Sequence, residues 1–398
     1  MKAILSLFLI CYVGHVMGNP QFIERWTTIS DTTFNYNLEL LRSVLNINNN
    51  SFNLQNYFYY FYGNTNWTDV DKVNLLACIP SNGLRIRTYY NLTPFNFSSY
   101  FFNISVYNQN YGYLSIPKSF LDLVLNGNQV NRTYSWADIN INAISYMGIT
   151  MGFRYPIIKY RNIIKNLFCG VQLHYQQGLL ATITDTAYGI ITTTPDDLRA
   201  HLFLSQKIAR NGNCLAGDCF FALEFNHNIN LVLAFLNLST GFYWQENCQE
   251  FLYEIAIDSF NLSYFWENPV ADSFFNFTHQ AGPCAPFKTV LPPQIFLCCD
   301  AILTKHIKCL MYYHRYLDYS IFIRDFLHQL NFTIHYTPIK PISLNLSFTV
   351  DFHRNFYFIP GFKLSIRRFY LKLATPQYNG VLSKSKGLSL CVSSGVYF

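Results

Sequence analysis

ISYMGITMGFRYPIIKY (residues 144–160) and LFCGVQLHYQQGLLATIT (167–184) are two long, mostly apolar stretches, and they set the fold class. Both read as strands, with Gly148, Gly152 and Gly170 as interruptions. They lie in a segment, residues 136–213, that holds no N-x-[ST] sequon. Next to them is a helix signal over residues 195–210. Thr194 can cap, Pro195 suits a first helical position, and Asp196 and Asp197 complement the positive helix end. Leu198, Leu202, Leu204 and Ile208 give an apolar side, and Asn211-Gly212 closes the helix. Asp196, Asp197 and His201 could suggest a metal, but capping explains the carboxylates more simply.

Working outward, strand patterns recur. Leu84–Tyr90 alternates Arg85 and Arg87 with Ile86 and Thr88. Tyr100–Tyr107, Tyr113–Ile116 and Phe220–Leu238 are strand-like, and the aromatic run within Phe52–Tyr62 fits a strand. That run serves core or strand pairing, or else an exposed platform for sugar rings. Short helices are expected at Leu38–Leu45, at Pro117–Leu125 with Asn126-Gly127 as the stop, and at Tyr319–Leu330. The chain is therefore mainly β with a few helices.

The first eighteen residues read as a secretory signal: Met1-Lys2, an apolar run from Ala3 to Val13, and small Val16 and Gly18 before the cut. The run is too short for a helical span of ~20 residues. No later stretch is long enough either; Ile229–Leu238 is short and broken by Asn230 and Asn237. In a secretory lumen the sequons at Asn49, Asn66, Asn91, Asn96, Asn103, Asn131, Asn237, Asn261, Asn276, Asn331 and Asn345 are candidate glycan sites on the surface. Cys78, Cys169, Cys214, Cys219, Cys248, Cys284, Cys298, Cys299, Cys309 and Cys391 are disulfide candidates, a framework of up to five bridges with open connectivity. Seven of them fall between Cys214 and Cys309, a staple region.

These features divide the chain into a signal (1–18), a glycan-rich β domain (19–135), a disulfide-dense β-rich domain (136–310) and a basic β-rich region (311–398), which stops abruptly and suggests truncation. From Cys299 onward twelve Lys and Arg face four Asp and no Glu. Such a surface could meet anionic glycans, acidic protein or membrane headgroups, or simply be solvated. Low charge and many aromatics exclude a disordered chain.

Catalytic patterns are missing. There is no Gly-x-Ser-x-Gly elbow, no His-Glu-x-x-His site and no phosphate-binding glycine loop. Cys298, Cys299, His306, Cys309 and His314 resemble a metal set, but an oxidising lumen favours disulfides. No catalytic residue, cofactor, metal or nucleic-acid partner is assigned.

The signal, the sequons, the low charge, the Asn-Phe-Tyr-rich strands and the cysteines together resemble the N-terminal attachment region of a coronavirus-type spike glycoprotein. Asn237-Leu238-Ser239-Thr240-Gly241-Phe242-Tyr243 and the segment Cys391–Tyr397 resemble segments that close domains in such spikes. The resemblance implies disulfide-linked β-sandwich-like domains and virion-surface attachment to a host-cell protein or sialylated glycan, with oligomerisation if the chain is part of a spike. A hemagglutinin-esterase is excluded, since Phe-Gly-Asp-Ser is absent and Ala216-Gly217-Asp218-Cys219 is the nearest string. The alternatives are a secreted soluble binding protein or immune decoy, and a secreted hydrolase without a recognisable motif.

Overall fold

The computed structural model describes residues 36–63, 67–161, 164–195, 197–225, 229–261, 276–318, 328–351 and 356–398. Its strands, in chain order, are β1 (Tyr36–Asn49), β2 (Leu84–Ser99), β3 (Phe102–Ile116), β4 (Arg132–Ser135), β5 (Asn140–Arg161), β6 (Ile164–Thr193), β7 (Asp197–Arg210), β8 (Gly212–Phe225), β9 (Ile229–Ser239), β10 (Phe242–Trp244), β11 (Glu246–Asn261), β12 (Asn276–Pro283) and β13 (Phe287–Thr289). They continue with β14 (Gln294–Thr304), β15 (Ile307–Tyr316), β16 (His328–Ile339), β17 (Ile342–Asp351), β18 (Phe356–Ile366), β19 (Phe369–Ala374), β20 (Gln377–Tyr378) and β21 (Gly387–Tyr397).

Fourteen of these close a single antiparallel barrel: β1, β2, β3, β5, β6, β8, β9, β14 to β19, and β21, which pairs back onto β1. Closure leaves no open edge in the wall. The two ends differ. At one, successive strands are joined by tight turns, as between Ser99 and Phe102 or Ile366 and Phe369. Tyr36 and Phe398 exchange backbone hydrogen bonds at that same end. At the other, long excursions leave the wall.

The first excursion forms a helical cap: α1 (Leu54–Tyr57) running into a π turn (Phe58–Gly63), then α2 (Asp69–Cys78), joined by α3 (Lys118–Asn126) from the next excursion. Thr68 and Asp71 make a capping box at the start of α2, which satisfies two backbone donors that a helix start leaves open. Tyr60, Leu75 and Leu121 bury against Phe52, Ile86 and Leu114 of the barrel rim. The excursion between β6 and β8 is a ribbon. Strand β6 is 30 residues long. Its first half pairs with β8, and its second half pairs with β7. The ribbon is widened by β11 and β12 on one side and β4 on the other.

The wall strands share one pattern, clearest in β5. Met147, Ile149, Met151, Phe153, Tyr155 and Ile157 face outward and are exposed, whereas Gly148, Thr150, Gly152, Arg154 and Pro156 face inward and are buried. On β6, Val171, Leu173 and Tyr175 face outward, against Gly170, Gln172 and Gln176 inside. The pattern repeats on β16, where Leu330 and Phe332 are outside and Gln329, Asn331 and Thr333 inside. A soluble β protein buries its apolar face. Apolar-out, polar-in alternation around a closed barrel is the solution for a wall surrounded by lipid. The outward run of β5 covers about 33 Å of strand, which with a tilt of roughly 40° gives about 25 Å of height, the apolar band of such barrels.

Several expectations are corrected here. The fold is one closed barrel and not disulfide-linked β-sandwich domains, and among the described residues there is no disulfide. The helix expected near 195–210 is strand β7. Thr194 does accept from the Asp197 backbone N–H, at 3.0 Å, but the turn it makes is a hairpin. Pairing with β6 and β11 satisfies the backbone on both sides and overrides local helix preference. Leu38–Leu45 likewise lies in β1. The run within Phe52–Tyr62 is helical, started by Asn53, whose side chain accepts from Asn56 N. Ile229–Leu238, too short as a helix, is strand β9, and a tilted strand of about 9–11 residues spans a bilayer. The strands expected at 84–90, 144–160 and 167–184 and the helix at 117–125 are present. The signal, residues 1–18, lies outside the described residues, as does most of the helix expected at Tyr319–Leu330, whose last residues begin β16.

Candidate functional site: the barrel interior

Five of the eleven sequon asparagines line the lumen. Asn91, Asn96, Asn103 and Asn331 are 1–2% exposed and face inward. In each, the Ser or Thr two residues on shares that inward face and the residue between faces out: Leu92, Phe97, Ile104 and Phe332. Asn-x-Ser/Thr is thus the alternation of a polar-lined wall written with uncharged hydrogen-bonding side chains. Such a lining pairs with itself. Asn103 Nδ2 donates to Asn96 Oδ1 at 3.0 Å, and Thr333 Oγ1 lies 2.8 Å from Asn331 Oδ1 and 2.7 Å from Ser347 Oγ. A sugar on any of these four asparagines would have to sit inside the packed wall. Asn345 lines the same interior. Asn237, at the end of β9, donates to the carbonyls of Leu291 and Pro292, and Asn49 to those of Phe52 and Lys386. Asn131 is exposed, Asn66 lies outside the described residues, and Asn261 and Asn276 are in β11 and β12.

Across the mouth runs a row of aromatic rings. Tyr89 meets Tyr111 at 5.5 Å, Tyr111 stacks on Tyr146 at 5.9 Å, Tyr146 meets Phe242 at 4.9 Å, and Phe242 stacks on Trp244 at 5.8 Å. The row starts on the wall and ends on β10, which folds in over the opening and pairs with β13. Trp244 is fully buried, and its Nε1 donates to Thr289 Oγ1 at 2.9 Å. Its indole lies flat against two wall glycines: a Cβ on Gly178 would come within 2.4 Å of the ring and one on Gly212 within 2.7 Å. The glycines are needed because only a bare backbone lets the indole approach.

Beneath the row the interior is polar. Thr150 Oγ1 lies 2.7 Å from His174 Nδ1, and His174 Nε2 lies 2.9 Å from Asp218 Oδ2. Asp218 Oδ1 accepts from the Asn237 backbone N–H, so this relay ties β5, β6, β8 and β9 together. Gln176 donates to Tyr107 Oη at 2.9 Å. A cavity of about 100 Å³ opens here, bounded by Arg42, Gln109 and Gln294 among others. A second, of about 120 Å³, lies on the opposite side between β1, β16 and β18 and is lined by Asn331, His335, Lys372 and Cys391.

The basic C-terminal quarter is partly inside as well. Lys308 pairs with buried Asp300 at 2.8 Å, and Lys363 sits over the Tyr370 and Tyr397 rings. The cysteines are distributed over wall, cap and mouth: Cys214, Cys298 and Cys391 face inward, Cys78 ends α2, Cys248 lies near the start of β11 and Cys284 directly follows β12. Cys169, Cys219, Cys299 and Cys309 alternate with inward-facing neighbours. The staple region is therefore ordinary barrel wall plus one excursion. Cys298 and Cys299 face opposite sides, His314 meets Gln294 Oε1, and His306 meets the Thr337 carbonyl. Among the described residues no three His, Cys, Asp or Glu side chains could hold a metal. His201 pairs with Glu254 at 3.2 Å on the exposed ribbon.

The arrangement defines a class, a membrane-type β-barrel with a polar, capped interior. The model of a family of unknown function, DUF5723, matches residues 28–217. No curated protein matches in sequence. Among solved structures the chain is similar to a deltaS2 mutant of the monoaromatic hydrocarbon channel TodX, at 9% identity and TM-score 0.52, covering 97% of this chain and 96% of that one. Others are the monoaromatic hydrocarbon channel CymD (8%, TM-score 0.49, 97% and 94%) and the Pseudomonas putida toluene transporter TodX (10%, TM-score 0.47, 97% and 95%).

The barrel and this likeness overturn the spike resemblance and what it implied. Asn237–Tyr243 is the bend from β9 into β10, and Cys391–Tyr397 belongs to β21, the strand that closes the barrel. Virion-surface attachment, a host receptor or sialylated glycan as partner, the secreted decoy and the secreted hydrolase fall with it. A chain with this outer wall is membrane-embedded, not freely secreted, because water around so many outward apolar side chains has no compensating term.

Proposed function

We propose that this chain is an outer-membrane β-barrel that passes small hydrophobic compounds, with the helical cap and ribbon on the outer side and the tight turns in the periplasm. The observation that carries the membrane part is the apolar-out, polar-in alternation around a closed wall. The substrate class draws on the fold shared with the TodX channel variant and on Tyr111 and Tyr146 of the aromatic row, which border the cavity of about 100 Å³ and give it an aromatic wall for an apolar solute. On this reading the protein works by passage and not by catalysis.

The test is uptake of radiolabelled toluene by Gram-negative cells that carry the chain in their outer membrane. Saturable uptake several-fold above cells with an empty vector is expected. Equal rates in the two strains refute the proposal. The polar lining favours one second reading, a narrow pore for small polar solutes. Swelling of liposomes containing the barrel in sugar solutions, without toluene uptake, would select it.

A further inference from the structure

Cys248 and Cys284 meet at the base of the β11–β12 hairpin. The last rung of that ladder is Gln249 opposite Pro283, so the two cysteines face each other one step beyond it. Cys284 N donates to the Cys248 carbonyl at 3.1 Å, and the two thiols are in hydrogen-bond contact. Both pack at the edge of the cluster around Trp244 and Phe242, and the Cys248 thiol lies 3.5 Å from the Trp244 carbonyl.

Among the described residues no other two cysteines stand opposite each other in a strand pairing. Cys169 stands opposite Phe221 and Cys219 opposite Val171, so this pair is diagonal. Cys299 and Cys309 are diagonal in the same sense, opposite Met311 and Ala301. Diagonal neighbours lie about 7–8 Å apart, whereas a disulfide needs Cβ atoms within about 3.5–4.5 Å. Cys214 faces Gln176 on the neighbouring strand and Cys391 faces Val44 and Ala374.

We propose that Cys248 and Cys284 are a redox pair that closes to a single disulfide across the base of this hairpin, by exchange with a small disulfide oxidant. One cysteine thiolate attacks the oxidant's S–S bond, forming a mixed disulfide and releasing one thiol. The other cysteine then attacks its partner's sulfur, forms the Cys248–Cys284 bond and releases the second thiol. Two electrons and two protons thus pass from the pair to the oxidant. The bridge locks the excursion that carries β10, and hence Trp244, over the mouth. Burial, and then the contact with Cys248, push the Cys284 thiol up to about 11, so exchange is slow at neutral pH and is best run near pH 9.

The test uses the full chain, folded in detergent, reduced, freed of reductant and incubated with oxidised glutathione. Remaining thiols are then alkylated and the peptides mapped without reduction. The expected result is a Cys248–Cys284 cross-linked peptide and two fewer alkylated cysteines, with C248S leaving Cys284 unbridged. Alkylation of both cysteines, a persistent glutathione adduct on either, or a bridge from either to another cysteine overturns the proposal. The outcome is independent of what the barrel transports.

Discussion

Leu173 provides a direct test of whether lipid surrounds this wall. It is 71% exposed, faces outward on β6, and lies within two or three residues of the middle of the wall portion, Ile164–Gly178. Its cross-strand partners are Met151 and Gly217, so Leu173→Arg removes little packing. In water such a change at an exposed site shifts stability by no more than about 0.5 kcal/mol. At the midplane of a bilayer the same charge on the lipid face costs about 2–4 kcal/mol, or roughly thirty-fold to eight-hundred-fold in the folding equilibrium at about 1.4 kcal/mol per decade. Ile190→Arg is the internal control, because Ile190 is also exposed on β6, at 54%, but belongs to the ribbon beyond the wall. Urea titration of the chain in lipid vesicles, followed by tryptophan emission, measures both. Leu173→Arg should lose at least 2 kcal/mol (roughly the lower bound above) and Ile190→Arg almost nothing. Equal, small losses for the two would refute the assignment of this face to lipid.

Gly178→Ala places a methyl 2.4 Å from the Trp244 ring and should cost about 1–3 kcal/mol by overpacking, with a shift in tryptophan emission as the indole moves. Thr68→Ala removes one half of the capping box with Asp71 and should cost about 1 kcal/mol, read as faster hydrogen exchange in α2. In the reduced protein the Cys284 thiol, raised to about 11, stays protonated at neutral pH. Its alkylation should therefore quicken about tenfold per pH unit from 8 to 10 and level off only near its raised value, where an ordinary thiol levels off at about 8.5.

Much of the secondary structure is legible in the residues. The strands at 84–90, 144–160 and 167–184 and the helix ended by Gly127 follow from local pattern. The sense of the alternation does not. Met147, Ile149, Met151 and Phe153 against Gly148, Thr150, Gly152 and Arg154 describe period two equally well with either face in water. What decides it is closure, a relation between β1 and β21 set by residues more than three hundred positions apart. The sequons show the same limit. Asn-x-Thr at 91–93 and 331–333 matches a glycan acceptor residue for residue, and only the inward direction of both polar side chains shows it to be lumen lining. An apolar residue between the two, as in Asn103-Ile104-Ser105, was the available signal. Strand β7 carries a helix signal in its sequence because Thr194, Asp197 and the spaced leucines satisfy helix rules, which pairing on both sides overrules. The aromatic row had no local signature, since Tyr89, Tyr146 and Trp244 meet only when distant strands curl round.

The length of β6 has a topographic consequence. From Ala181 to Thr193 the strand leaves the wall and continues as ribbon, as much as about 40 Å of further rise. The described residues are therefore lopsided: nearly flush at the tight-turn end and, at the other, standing proud on one flank. A scanning tip drawn across a membrane holding these barrels should register an off-centre ridge from one side and a low ring from the other, so that a single height trace reports which way up the protein was inserted.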